Sequence, residues 1–306
     1  MSTIEKALLK KKATQRIEDK PKEDTLVNSD AEANIRAQSE AAQQAPLVSK
    51  KQSVESSEAN KALGLEAKID LDELESKGFV SVNSTRTVIN EEYRAIKRKL
   101  LANAFGPISE TLTNSNIIMV SSPRPSEGKT FTAINLALSI AAEKDKTVLL
   151  VDADVLKPNI SKTLGIGVKN GLIEYLLDER HDISEVLYRT NVEKLRIIPA
   201  GRSHHLSTEL LASQKMQETI DEIASRYPDR VVIIDTPPLI GINETAILTS
   251  FAGQAVVVCE EGKTRLSDLG NATSLLNPEM AIGYVVNKAI VSVGDDSGYY
   301  GYYYAE

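Results

Sequence analysis

The amino-acid sequence predicts an α/β fold: a doubly wound, mostly parallel sheet with helices on both faces. Two observations carry that prediction. Short runs of consecutive apolar residues recur at 117–120 (IIMV), 148–151 (VLLV), 196–198 (RII), 231–234 (VVII), 255–258 (AVVV) and 284–286 (YVV). Stretches of helical character separate them, at 130–142, 170–177, 207–226 and 265–276. Uninterrupted apolar runs mark strands covered on both sides, and their alternation with helices is the pattern of parallel βαβ units. With 306 residues and 42% apolar content, the chain can build a sizeable core.

In chain order, residues 1–80 come first. They contain no aromatic residue before Phe79 and are rich in Ala, Ser, Glu, Lys and Gln. Such a segment buries too little surface to offset its ordering entropy, so it is expected to be largely disordered. Within it, Ile4, Ala7 and Leu8 share a helical face among Lys6, Lys10, Lys11, Lys12 and Arg16, which suggests a short docking helix over 4–16. A helix is expected over 90–105, with Tyr93, Ile96, Leu100 and Leu101 at helical spacing and Asn90 as its N-cap. The alternating strand–helix pattern runs from 116, so the folded domain is placed at 81–291. The tail, 292–306, is not periodic and holds five of the ten tyrosines, Tyr299, Tyr300, Tyr302, Tyr303 and Tyr304.

Composition excludes several classes. Thirty-six basic and 43 acidic residues give a net charge of −7, which argues against a generally basic nucleic-acid binder. The single cysteine, Cys259, excludes an intramolecular disulfide framework and a multi-cysteine zinc site, and fits a reducing compartment. No apolar run approaches the roughly 20 residues that span a bilayer, and the N-terminus has no secretion signal. A cytoplasmic protein is expected. His181, His204 and His205 lie in polar loops and are read as solvated; Cys259, inside an apolar run, is read as a buried strand residue.

Three motifs carry chemistry. SSPRPSEGKT (121–130) follows the first long strand and opens a helix. In a P-loop, backbone N–H groups at a helix N-terminus wrap phosphates, the Lys reaches the β/γ oxygens, and the Ser/Thr hydroxyl ligates Mg²⁺. Ser126, Glu127, Gly128, Lys129, Thr130 and Phe131 are therefore the candidate phosphate cradle. Pro123 stands where the general pattern has its first Gly. LLVDADVLKP (149–158) places Asp152 and Asp154 at the end of the next long strand, and VVIIDTPP (231–238) places Asp235 at the end of another. Carboxylates at strand C-termini of a doubly wound sheet face the ligand crevice. Two or three acids beside a GKT supply what Mg²⁺ needs together with phosphate oxygens and water. Asn287, ending a late strand, is a candidate reader of an adenine edge. The set implies a P-loop NTPase with ATP and Mg²⁺ as cofactors.

In this order the motifs resemble the Walker A, A′ and B elements of bacterial tyrosine kinases, P-loop enzymes that regulate capsule and exopolysaccharide synthesis. The resemblance spans about 85–290 and includes GLIEYLL (171–177), IIPAG (197–201) and STELLAS (207–213). IEKAL (4–8) is similar to the start of the exosortase-associated branch, and the tyrosine cluster is the family's most distinctive trait. EEYRAIK resembles its oligomerisation motif, with Glu91 and Arg94 matching and Lys97 in place of the last Arg. Leu156 stands where the family often has a basic residue. The three nucleotide motifs are shared with partitioning and septum-positioning ATPases, so an ATPase without protein kinase activity is the competing reading.

The resemblance implies a tyrosine autokinase. Lys129 would neutralise charge on the transferred phosphoryl; Thr130 with Asp154 or Asp235 would hold Mg²⁺; Asp152 or Asp154 would accept the phenol proton. The five tail tyrosines would be the acceptors, presented to a neighbouring subunit of a ring. Implied partners are further copies of the chain, a membrane-embedded chain-length determinant (a polysaccharide co-polymerase) acting in trans as activator, and a cognate tyrosine phosphatase. That activator would hold the kinase at the inner membrane.

Overall fold

The structure, a computed structural model, describes residues 65–82 and 87–289. The expected docking helix, the IEKAL segment and the tyrosine-rich tail lie outside the described residues.

Eight strands form one sheet: β1 (Glu66–Ala67), β2 (Ile117–Ser121), β3 (Thr147–Asp152), β4 (Tyr188–Thr190), β5 (Leu195–Ile198), β6 (Arg230–Asp235), β7 (Gln254–Glu260) and β8 (Ala281–Asn287). Their spatial order is β1-β4-β5-β3-β6-β2-β7-β8. Every pairing is parallel except β4 with β5. All six predicted strands are present. The two that escaped prediction, β1 and β4, have two and three residues, too short to show a period.

The helices are α1 (Leu71–Ser76), α2 (Val88–Phe105), α3 (Lys129–Ala141), α4 (Ile160–Thr163), α5 (Leu172–Leu176), α6 (Ser207–Leu211), α7 (Gln214–Ser225), α8 (Asn243–Leu248) and α9 (Leu266–Ser274). They cover both faces of the sheet, which divides the core in two. Ile117, Met119, Leu149, Val151, Val232 and Ile234 point into one half; Ile118, Val120, Val148, Leu150, Val231 and Ile233 point into the other, beneath α2 and α3. The alternation follows the two-residue period of a strand. α3 is buried on nearly every side, which fits its position between the sheet and α2. No described helix is long and apolar enough to cross a membrane.

Four expectations need correction. The ordered fold takes in residues from 65 onward, because Ile69, Leu74, Phe79 and Val80 are buried against the α3 side of the sheet. Helix α2 starts at Val88 with Thr87 as its N-cap, the Thr87 hydroxyl accepting the Asn90 N–H at 3.3 Å. Asn90 instead accepts the Ser81 N–H at 3.1 Å, which ties the preceding segment to the helix. The single helix expected over 207–226 is two, because Ser213 interrupts it and caps α7 through the Met216 N–H.

The fourth correction concerns Lys97 in α2. Lys97 does not share a face with Glu91 and Arg94. It lies on the buried stripe of Tyr93, Lys97, Leu100 and Ala104, where its ammonium donates to the Ser139 carbonyl at 2.9 Å and pairs with Glu143 at 2.6 Å. Three residues on from Arg94 is about 300° of helical turn, which carries Lys97 inward. Arg98, four on from Arg94 and seven from Glu91, returns to their face and is exposed. Arg94 and Glu91 pair at 2.7 Å.

Candidate active site

Parallel pairing sets the strand ends side by side. Asp152 of β3 is in register with Asp235 of β6, and Asp235 is the neighbour of Val120 on β2. The loop after β2 wraps into α3 at this same edge, so the P-loop and the strand-end acids meet because of the sheet's register.

The loop takes left-handed backbone at Ser126 (φ 70°) and Gly128 (φ 104°). At Gly128 a Cβ would sit 1.9 Å from the Asn287 side-chain nitrogen, so only glycine fits. Glu127 is buried and folds back. Its carboxylate accepts the Arg124 N–H at 2.7 Å and the Thr264 hydroxyl at 2.5 Å. Arg124 in turn makes a two-point contact with Asp268 at 2.7 and 3.0 Å. Pro123 is accommodated with its carbonyl accepting the Ile240 N–H at 3.3 Å.

Lys129 reaches across the loop to Asp154 Oδ2 at 2.5 Å and lies 3.9 Å from Asp235 Oδ1. Burial works against its charge, but Asp235, Asp154 and Asp152 outweigh it and the ammonium is held above its ordinary pKa. Thr130 donates its hydroxyl to Asp235 Oδ2 at 2.7 Å. Asp235 Oδ1 is buried with no hydrogen-bond partner. Burial is the main cause that raises the Asp235 pKa, to about 6. It also raises Asp152, to about 8, with the Asp235 charge adding to the effect.

Asp152 and Asp154, inseparable in the sequence, have different surroundings. Both Asp152 oxygens are engaged by backbone: Oδ1 by the Asp154 N–H at 3.2 Å and Oδ2 by the Ile160 N–H at 3.1 Å. Asp152 thereby staples the segment from β3 to α4. Asp154 faces an open cavity of about 550 Å³, lined on one side by Ser126, Gly128, Lys129, Thr130 and Phe131. The Phe131 ring also packs against Phe79 in a tilted arrangement, with centroids 4.7 Å apart and ring planes at 52°.

Asn287 meets the loop, not the cavity. Its amide donates to the Glu127 carbonyl at 2.9 Å and supports the P-loop. Lys288 adds a bond to the Ser126 carbonyl at 2.7 Å. Cys259 is buried in β7, as expected. His204 and His205 stack on each other in a loop. The far wall of the cavity holds Leu156 and Lys157 together with Lys162, Pro237, Pro238 and Ile242, of which the last four escaped sequence reading. The TPP following Asp235 and the LKP following Asp154 were its visible traces.

The donor set fits a small hard cation. One hydroxyl, the unpartnered Asp235 oxygen and the cavity-facing Asp154 supply oxygen ligands only. Among the described residues no three His, Cys, Asp or Glu side chains are grouped as a complete metal site.

Residues 115–273 match the profile of a family described as "AAA domain". The tyrosine-protein kinase YwqD of Bacillus subtilis is 28% identical over 227 residues, 74% of this chain and 92% of its own length. The tyrosine-protein kinase CpsD of Streptococcus pneumoniae is 33% identical over 190 residues, 61% of this chain and 82% of its own. The chain belongs to the bacterial tyrosine-protein kinase family. The kinase domain of the Escherichia coli tyrosine kinase ETK superposes with a TM-score of 0.63 at 24% identity, over 75% of this chain and 91% of that one, so the fold is shared. Four longer relatives also match, and this family member spans 20–26% of their length.

Proposed function

We propose that the protein is an ATP-dependent protein-tyrosine autokinase whose acceptors are the tail tyrosines Tyr299, Tyr300, Tyr302, Tyr303 and Tyr304. The observation that carries this reading is Asp154, a carboxylate in the cavity wall held by the P-loop lysine. Backbone N–H groups of 126–131 would cradle the ATP phosphates. Thr130 and Asp235 would hold Mg²⁺, which supplies charge neutralisation on the phosphates. Lys129 is already charged and poised within reach of the cradle. Drawn onto a phosphate, it leaves Asp154 as a free carboxylate. The phenol oxygen then attacks the γ-phosphorus, the bond to the β–γ bridging oxygen breaks, and the phenol proton passes to Asp154. A phenol of pKa about 10 needs such a base at neutral pH. Asp152, with both oxygens on backbone, is a positioning residue.

Subunit contacts would use the exposed face of α2, with Glu91, Arg94 and Arg98. Regulation of exopolysaccharide chain length and export, activation by a membrane-embedded co-polymerase, reversal by a tyrosine phosphatase and a cytoplasmic site at the inner membrane complete the reading. Incubation with Mg-ATP followed by mass spectrometry of the C-terminal peptide tests it. Phosphate on Tyr299–Tyr304 is expected in the wild type and none in Lys129→Met. ATP turnover with an unmodified tail would establish a positioning-type ATPase instead.

A further inference from the structure

The cavity has a second half that the phosphate cradle does not use. Beyond Asp154 its wall consists of Leu156, Pro237, Pro238 and Ile242, with Lys157 and Lys162 beside them. Leu156 is 45% exposed, a large apolar side chain at the mouth of a polar site. Lys157 and Lys162 form no ion pair with a described carboxylate, so their charge faces the cavity rim unneutralised. Asp154 is the one carboxylate lining the cavity.

Geometry decides which substrate this wall would meet. The proposed transfer needs the phenol between the phosphate cradle and Asp154. The ring of that phenol must then extend away from the cradle, toward Leu156 and Ile242. Proline and aliphatic faces suit an aromatic ring, whose burial is favourable at about 25 cal/mol per Å². The charge of the wall also matches one segment of this chain. Residues 289–306 carry Asp295, Asp296 and Glu306 and no Lys or Arg. Leu156 keeps this surface apolar, and the positive charge beside it comes from Lys157 and Lys162.

Resting on the autokinase reading, we propose that Leu156, Pro237, Pro238 and Ile242 form the acceptor subsite for the tyrosine-rich segment 295–306. Lys157 and Lys162 select it through the acids that flank its tyrosines. The subsite is thus a specificity determinant for tyrosines in acidic sequence, distinct from the nucleotide cradle.

The test uses the full chain, Mg-ATP and a synthetic peptide of residues 295–306, DDSGYYGYYYAE. Phosphate entering the peptide is followed by mass spectrometry. Lys162 is exposed, so Lys162→Glu is expected to fold normally, checked by thermal melting. It should raise KM for the peptide about fivefold or more while leaving KM for ATP within about twofold, as reversal of a solvent-exposed pairing implies. A peptide with Lys in place of both Asp residues should recover on Lys162→Glu and weaken on wild type. Ile242→Ser should raise peptide KM by a similar factor with no dependence on peptide charge. Unchanged peptide KM in both variants, or an equal rise in KM for ATP, overturns the subsite while the kinase reading stands. Absence of phosphate from every tyrosine of the wild type and of the peptide overturns the kinase reading itself, and the subsite with it.

Discussion

On one side of the 121–130 loop, Glu127 and Asp268 direct their oxygens to the chain: to the Arg124 backbone and guanidinium and to the Thr264 hydroxyl. On the other side, Asp235 keeps an oxygen without a hydrogen-bond partner and Asp154 holds only a lysine and one backbone N–H. Residue type does not separate the two groups, since all four are acids near one loop. Their difference is what the surrounding backbone leaves unsatisfied. The first set shapes the loop; the second has capacity for a cation and a proton. Asp152 belongs with the first set by its bonding, although its sequence places it beside Asp154.

The sharpest way to break this contrast is Asp154→Asn, which keeps the shape and removes the base. Tail phosphorylation should fall about 10²–10⁴-fold with little change in melting temperature; retention of activity would move the base elsewhere. Asp152→Ala should do the reverse. Losing the acceptor of two buried N–H groups costs about 2–3 kcal/mol, read by urea denaturation. A conserved melting curve would show that the staple is idle. Lys97→Met removes the buried partner of the Ser139 carbonyl and should destabilise by about 1–3 kcal/mol while leaving oligomer mass unchanged. Arg94→Glu with Arg98→Glu should lower the mass in light scattering and leave the melt alone.

A pH series sharpens the comparison further. Asp235 and Asp152 bind protons more tightly folded than unfolded, since burial raises both from 3.8, to about 6 and about 8. Their contribution favours the folded state most at acidic pH, and it is lost as pH rises through those two values. Calorimetry in EDTA should show the melting temperature falling across that window, and Asp152→Asn should flatten the upper part. The smallest effect belongs to Asp268→Ala. Its partner Arg124 is largely exposed, so KM for ATP should change by no more than about twofold.

Much of this was legible in the sequence. Six apolar runs became the six long strands because continuous burial leaves a pattern that needs no tertiary information. The acids at 152, 154 and 235 and the GKT were recognisable because strand ends and a helix start fix their position. What was hidden depended on direction or on distant partners. Lys97 reads as a surface base until its helical angle is set by packing on α3. The support that Asn287 gives the loop is hidden until β8 is laid beside β7 and its amide meets Glu127. The cavity wall joins residues 156–162 to 237–242, a juxtaposition made by strand order alone.

The double grip of Asp152 on the amides of residues 154 and 160 has a further consequence. The lip of the cleft is fastened when the polypeptide folds, so the disorder it would otherwise surrender is already gone before any guest arrives. Amide exchange at those two positions should be slow from the outset and barely slower once the cleft is filled, and association should release little heat beyond that of the contacts themselves.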